Sequence, residues 1–151
     1  MCNISDKSNQ KCQLNDCLFF STTKLARIFN KIADEAFSIT GLSPSHALLL
    51  YIVNQNGSIQ QKEIGERMHL TPSTITRFID KLERKNYVSR KTEGKNAFIC
   101  TTEDGLALQQ EIIKAWNNLH NMYNNILTEE ETTQFISISA KLLNKLESEN
   151  N

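Results

Sequence analysis

The chain has 151 residues, 39% hydrophobic and 23% charged, a size that fits one domain and an apolar content that excludes a disordered chain. Five glycines and two prolines exclude an all-β protein built on many tight turns and any collagen-like repeat. Seventeen Lys/Arg balance seventeen Asp/Glu, but unevenly: residues 60–95 carry nine against five and residues 101–151 three against eight, which points to a localised polyanion contact in the middle of the chain.

Residues 1–10 are polar and expected to fray. No apolar h-region stands near the N-terminus, and the longest apolar run, Ala47–Val53, is seven residues, so neither a secretory signal nor a membrane span is expected and the expected compartment is the cytoplasm. From about Lys11 to Phe37 the apolar residues Leu18, Leu25, Ile28, Phe29, Ile32 and Ala36 fall on one helical stripe, widened by Phe19, Phe20, Ala33 and Phe37. So much apolar surface needs partners on more than one side. Ser43-Pro44 is an N-cap followed by proline at the first helical position, and it opens a second helix to about Val53, closed by Asn54-Gln55-Asn56-Gly57. A third helix is expected over about Gln60–Met68, with Ser58 and Gln61 as a capping box.

Thr71-Pro72 repeats the cap-and-proline signal and opens a fourth helix to about Lys85, whose buried stripe is Ile75, Phe78, Ile79 and Leu82. Asn86 fits the left-handed residue that ends a helix. Two short strands follow, around Val88–Lys91 and Ala97–Thr101, with Thr92–Asn96 turning between them. Thr101-Thr102 opens one long helix to about Leu127, carrying Leu108, Ile112, Trp116, Leu119, Tyr123 and Ile126. Thr128 and Glu131 form a capping box for a last helix with the stripe Phe135, Ile138, Leu142 and Leu146, and Glu147–Asn151 is expected to be loose. The fold class is mainly α with a small β wing.

Two short helices joined at His69-Leu70-Thr71-Pro72 and followed by a basic hairpin are a winged helix-turn-helix candidate. Opposite the buried stripe of the second helix of the pair stand Ser73, Thr76, Arg77, Asp80, Lys81 and Arg84. Short hydroxyl side chains and arginine are the types that reach base edges and phosphates, and a helix N-terminus adds unpaired N–H groups for phosphate. The expected DNA-contact residues are Lys62 from the first helix of the pair, Ser73, Thr74, Thr76, Arg77, Lys81 and Arg84 from the second, and Arg90, Lys91 and Lys95 from the hairpin.

The run Ser58-Ile-Gln-Gln-Lys-Glu-Ile-Gly-Glu-Arg-Met-His-Leu-Thr-Pro-Ser-Thr-Ile-Thr-Arg-Phe-Ile-Asp-Lys-Leu-Glu-Arg-Lys-Asn-Tyr-Val-Ser-Arg resembles the winged helix-turn-helix of the MarR family of transcription regulators. Thr101-Thr102-Glu103-Asp104-Gly105 resembles the start of that family's long dimer helix. The resemblance covers roughly Leu14–Leu146 and is sharpest over 58–105. It implies a homodimer on double-stranded, palindromic operator DNA, with one recognition helix in each major groove, and control by a small ligand or by thiol oxidation. It divides the chain into dimerisation helices at about 11–37 and 102–148 around a DNA-binding region at about 43–101. Two departures stand out. The wing is short, with Lys95 where the family usually has an arginine, and Asn86 replaces a usual glycine.

Cys17 stands near the place where hydroperoxide sensors of the family carry their cysteine, so it is the possible redox sensor. Its neighbours are apolar (Phe19 and Phe20), which raises a thiol pKa and slows attack on peroxide, so a small apolar or aromatic ligand is the expected signal instead. Cys2, Cys12 and Cys100 have no partner at metal spacing, and Cys12 and Cys17 on one helix would lie more than about 8 Å apart, beyond the ~7 Å reach of a disulfide. His46, His69 and His120 are scattered, with Trp116 standing four residues before His120, so no metal site is expected. No cofactor and no catalytic residue is expected, and the chain reads as a non-enzyme. The alternatives to a ligand-released repressor are a thiol-based repressor using Cys17 and a winged-helix interaction module without DNA binding.

Overall fold

The computed structural model describes residues 17–149. Cys2, Cys12 and the expected opening turns of the first helix, 11–16, lie outside the described residues. The elements in chain order are α1 (Leu18–Phe37), a 3-10 turn (Ser38–Thr40), α2 (Pro44–Asn56), β1 (Ser58–Gln60), α3 (Gln61–Met68), α4 (Pro72–Arg84), β2 (Val88–Glu93), β3 (Asn96–Thr101), α5 (Glu103–Ala107), α6 (Gln109–Asn124) and α7 (Glu129–Glu149). This is the mainly α architecture with a small β wing that the sequence implies. Among the described residues no single helix is long and apolar enough to cross a membrane.

Local chemistry accounts for most of the boundaries. Ser43 and Thr71 cap α2 and α4 by accepting from the amides of His46 and Thr74, each with a proline in the first turn. Gly57 and Asn86 adopt left-handed backbone, at φ 68° and 62°, after α2 and α4. Thr128 and Glu131 form the expected reciprocal capping box, with Thr128 N donating to Glu131 Oε2 at 2.8 Å and Glu131 N to Thr128 Oγ1 at 3.2 Å.

Five expectations are corrected. The segment read as the start of α3 is instead a strand: β1 pairs antiparallel with β3 through Ile59 and Ile99, in the sheet order β1-β3-β2. The Ser58–Gln61 capping box does not form, because Gln60 stands at the N-cap and its side chain caps nothing. The helix read as Thr102–Leu127 is broken at Leu108 into α5 and α6. Asn54 of α2 reaches into the break, its Nδ2 donating to Gly105 O and to Gln109 Oε1 at 2.9 Å each, and a side chain inserted at the carbonyl ladder is a known cause of such breaks. The hairpin turn shrinks to Gly94-Lys95, since Glu93 already pairs with Asn96; Gly94 at φ 61° supplies the backbone a two-residue turn needs. Finally, Glu147–Glu149 is helical, held by a Lys145–Glu149 ion pair at 3.5 Å and by Glu147 lying 3.2 Å from His69 of the helix-turn-helix.

The core lies under the reading head. Leu49, Leu50 and Val53 of α2, Ile64 of α3, Ile75, Ile79 and Leu82 of α4, Val88 and Ile99 of the hairpin and Ile112 of α6 are buried together. Four helices and one sheet face thus share a single apolar cluster, and this fixes α4 relative to the wing. Outside it the surface is different. Leu18, Phe19 and Ile28 of α1 are 65%, 69% and 57% exposed, and α7 buries no residue at all.

Candidate nucleic-acid interface

The face of α4 turned from the core is exposed at Ser73, Arg77, Lys81 and Arg84. Ile75, Ile79 and Leu82 are buried behind it, so burial of one stripe dictates presentation of the other. Lys91 and Lys95 are exposed on the hairpin and Lys62 on α3, where it pairs with Glu66 at 3.8 Å. Lys62 and Lys95, distant in sequence, line one cleft of about 750 Å³ between α3, the helix-turn-helix corner and the wing tip. The fold therefore brings Lys62 of α3 and Lys95 of the wing tip to one cleft.

Three expected contact residues have hydrogen-bond partners within the protein. Thr74 is half-buried and belongs to the cap, its amide donating to Thr71 Oγ1. Thr76 is half-buried on the flank beside α3, where its Oγ1 accepts from Gln61 Nε2 at 2.9 Å. Arg90 reaches α4 across the core edge: its Nη2 donates to Asp80 Oδ1 at 2.6 Å and lies 3.9 Å from Glu83 Oε2. The side chain of Arg90 is 29% exposed and that of Asp80 46%, so this ion pair ties wing to recognition helix rather than offering a cation to solvent. Sequence reading missed Gln61 and Asp80 because their partners, Thr76 and Arg90, are brought to them only by packing.

The Asp80–Arg90 pair has a measurable consequence. In a double-mutant cycle, Asp80→Ala and Arg90→Ala are expected to be coupled by about 0.5–1 kcal/mol in stability, the modest value of a part-exposed pair screened by solvent. Amide exchange in β2 and β3 should quicken in both variants. Strict additivity would show that the pair does not hold the wing.

His46 backs the recognition helix from inside. It is buried, its Nδ1 lies 2.6 Å from Ser43 Oγ, and its ring lies 4.2 Å from that of Phe78 on α4. Burial, then Lys81, then Lys85 lower its pKa below the ordinary 6.5. The folded protein thus resists a proton that the unfolded chain accepts, so stability is full above about pH 6.5 and is lost as pH falls from there through the folded-state value. Thermal melts at pH 7.5 and 5.5 are expected to show a smaller acid loss for His46→Gln than for wild type; equal losses would rule out His46 as a source of the acid sensitivity.

Cys17 stands at the N-cap of α1 rather than within it, is half-buried, and its side chain caps no amide. Cys100 lies on β3 with its Sγ 3.4 Å from Ser58 Oγ. Among the described residues no group of three or more His, Cys, Asp or Glu side chains is placed to hold a metal ion.

A capped recognition helix with an exposed basic face, a second helix braced against it and a basic hairpin beside them define a winged helix-turn-helix DNA-binding regulator. The comparisons agree. The model of the MarR family matches residues 42–96. The HTH-type transcriptional repressor MdtR of Bacillus subtilis is 30% identical over 131 residues, covering 83% of this chain and 84% of MdtR. Two solved structures share the fold: the Staphylococcus aureus MepR–DNA complex, with TM-score 0.77 at 19% identity over 86% of this chain and 98% of that one, and CouR from Rhodococcus jostii bound to p-coumaroyl-CoA, with TM-score 0.76 at 22% identity over 85% and 93%. The chain belongs to the MarR family, and as a member it is a transcription regulator and not an enzyme.

Proposed function

We propose that the protein is a homodimeric repressor that binds a palindromic operator and is released by a small apolar or aromatic ligand. The observation that carries the DNA-binding part is the exposed face of α4, Ser73, Arg77, Lys81 and Arg84, flanked by Lys62, Lys91 and Lys95. Arg77 suits a bidentate contact to guanine, and the lysines suit phosphate. Arg90 serves the wing, not the DNA.

The dimer reading rests on apolar surface. Phe135, Ile136, Ile138 and Leu146 of α7 are 52%, 62%, 61% and 56% exposed, and Leu18, Phe19 and Ile28 of α1 are exposed as well. Exposed large apolar side chains in such number mark an interaction site, and a symmetric pairing of α1, α6 and α7 is the closed solution. Sedimentation should show a species of twice the 17.2 kDa chain mass at micromolar concentration; a stable monomer there would overturn the dimer.

The ligand reading rests on a recess of about 270 Å³ lined by Tyr51 of α2 and by Ile112, Ile113, Trp116 and Asn117 of α6. Trp116 is 43% exposed and its ring stacks on Tyr51 at 6.3 Å. A planar apolar ligand there bridges the reading head and the dimer helices, so it acts on the spacing of the two recognition helices, which must match about one DNA turn, ~34 Å. CouR, which shares the fold, is described with p-coumaroyl-CoA bound. The test is operator binding by wild type, Trp116→Ala and Cys17→Ser, with and without a panel of aromatic acids and with organic hydroperoxide. Release by an aromatic compound that fails on Trp116→Ala supports the ligand reading. Release by low peroxide that fails on Cys17→Ser replaces it with the redox reading.

A further inference from the structure

The polar contact joining the two helices of the helix-turn-helix carries more than packing. Gln61 Nε2 donates to Thr76 Oγ1 at 2.9 Å, and Thr76 Oγ1 donates in turn to Pro72 O, also at 2.9 Å. A hydroxyl has one hydrogen and two lone pairs. The hydrogen is spent on Pro72 O and one lone pair on Gln61, which leaves a single lone pair. Swinging the proton elsewhere would set a lone pair against the Pro72 carbonyl, and the Gln61 N–H blocks the other arm. Thr76 is therefore held as an acceptor and nothing else, one turn into α4 and next to the exposed Arg77.

Base edges differ in the complementary property. In the major groove adenine N6 and cytosine N4 donate, whereas guanine O6 and N7 and thymine O4 accept. An unconstrained threonine serves either kind; a threonine with its proton committed serves only the donors. We propose that Gln61 is a specificity-determining positioning residue that, with the Pro72 carbonyl, fixes Thr76 as an acceptor-only reader selecting adenine or cytosine at one position of each half-site. The proposal rests on the DNA-binding reading above. Gln61 acts through Thr76 and carries no charge, which is why charge and hydroxyl patterning pass over it.

The experiment uses the full chain and a duplex selected from a random pool by wild type. In that duplex each adenine is replaced in turn by purine, and each cytosine by 2-pyrimidinone, both lacking the exocyclic amino group. One position per half-site is expected to lose about 3–10-fold in wild-type affinity on replacement, the worth of one hydrogen bond. That penalty should vanish in Thr76→Val and persist in Thr76→Ser and Gln61→Leu, while the preference for adenine or cytosine over guanine or thymine at that position should shrink to below about twofold in Gln61→Leu. A base preference at that position that is unchanged in Gln61→Leu overturns the role of Gln61. Because each penalty is a ratio measured within one variant, a general loss of affinity or stability cancels, and Thr76→Ala supplies the same comparison should valine unfold the head. A selected duplex whose amino-group penalties are the same in all variants overturns the role of Gln61 and Thr76 while leaving DNA binding intact. Failure of wild type to select any duplex overturns the DNA-binding reading, and this inference with it.

Discussion

Replacing Gly105 with alanine is expected to destabilise the fold by about 3 kcal/mol or more, lowering the melting temperature by roughly 6–12 °C. A Cβ built at Gly105 meets Tyr87 O at 2.1 Å, Tyr87 C at 3.1 Å and Leu50 Cδ1 at 3.2 Å. The first two are backbone atoms of the segment joining α4 to the wing, so no side-chain rotation relieves the clash. That segment is pinned from both sides: Asn86 Nδ2 donates to Asp104 Oδ2 at 2.8 Å, and Thr102 Oγ1 donates to Asn86 O at 2.7 Å. Moving Tyr87 therefore disturbs the junction where α5 docks on the reading head. Gly94→Ala is the control. Gly94 has open space around it and only its φ of 61° to lose, so about 1 kcal/mol is expected there. Denaturant melts of the two variants check the ordering. Equal, small losses would show that the close approach at Gly105 is not rigid.

The second large effect is the salt dependence of operator binding, which tests the proposed interface directly. The exposed cations proposed to face DNA are Lys62, Arg77, Lys81, Arg84, Lys91 and Lys95. With about six of the copies in a dimer on phosphate, the log–log slope of affinity against salt is about −5, and affinity falls roughly a thousandfold between about 50 and 200 mM salt. Lys91→Ala should make that slope shallower by about two, one contact per half-site, and weaken all sequences alike. Arg90→Ala should leave the slope unchanged, because Arg90 already spends its charge on Asp80. A slope near zero in wild type removes the electrostatic interface altogether. A slope that drops with Arg90→Ala as with Lys91→Ala shows that Arg90 leaves Asp80 for DNA.

Much of this molecule is written in short-range chemistry. Ser43-Pro44, Thr71-Pro72 and Thr128 with Glu131 start their helices as expected because a cap is satisfied by atoms within three residues. The buried stripe of α4 is legible for the same kind of reason: Ile75, Ile79 and Leu82 share a face whatever they pack against, and so Ser73 and Arg77 share the opposite one. The basic wing and the winged helix-turn-helix order needed nothing beyond these local patterns, and the MarR-family resemblance rested on the runs 58–90 and 101–105 as sequence.

What tertiary structure alone decided lies where distant residues meet. β1 is three residues long and exists because Ile59 finds Ile99 on β3, so its own sequence carries too little periodicity to declare it. The break at Leu108 comes from Asn54 reaching in from another helix, and no helix-period count contains that side chain. Arg90 reads as a basic wing residue by charge and position; packing alone set Asp80 beside it, 2.6 Å from its Nη2. Thr76 falls on the polar face by its helical angle; packing alone set Gln61 Nε2 2.9 Å from its Oγ1. The physical reason is common to all four. Sequence determines which groups a segment presents, since that follows from backbone geometry within a turn or a cap, whereas which of those groups remain available is set by partners that only the folded core brings within hydrogen-bonding distance.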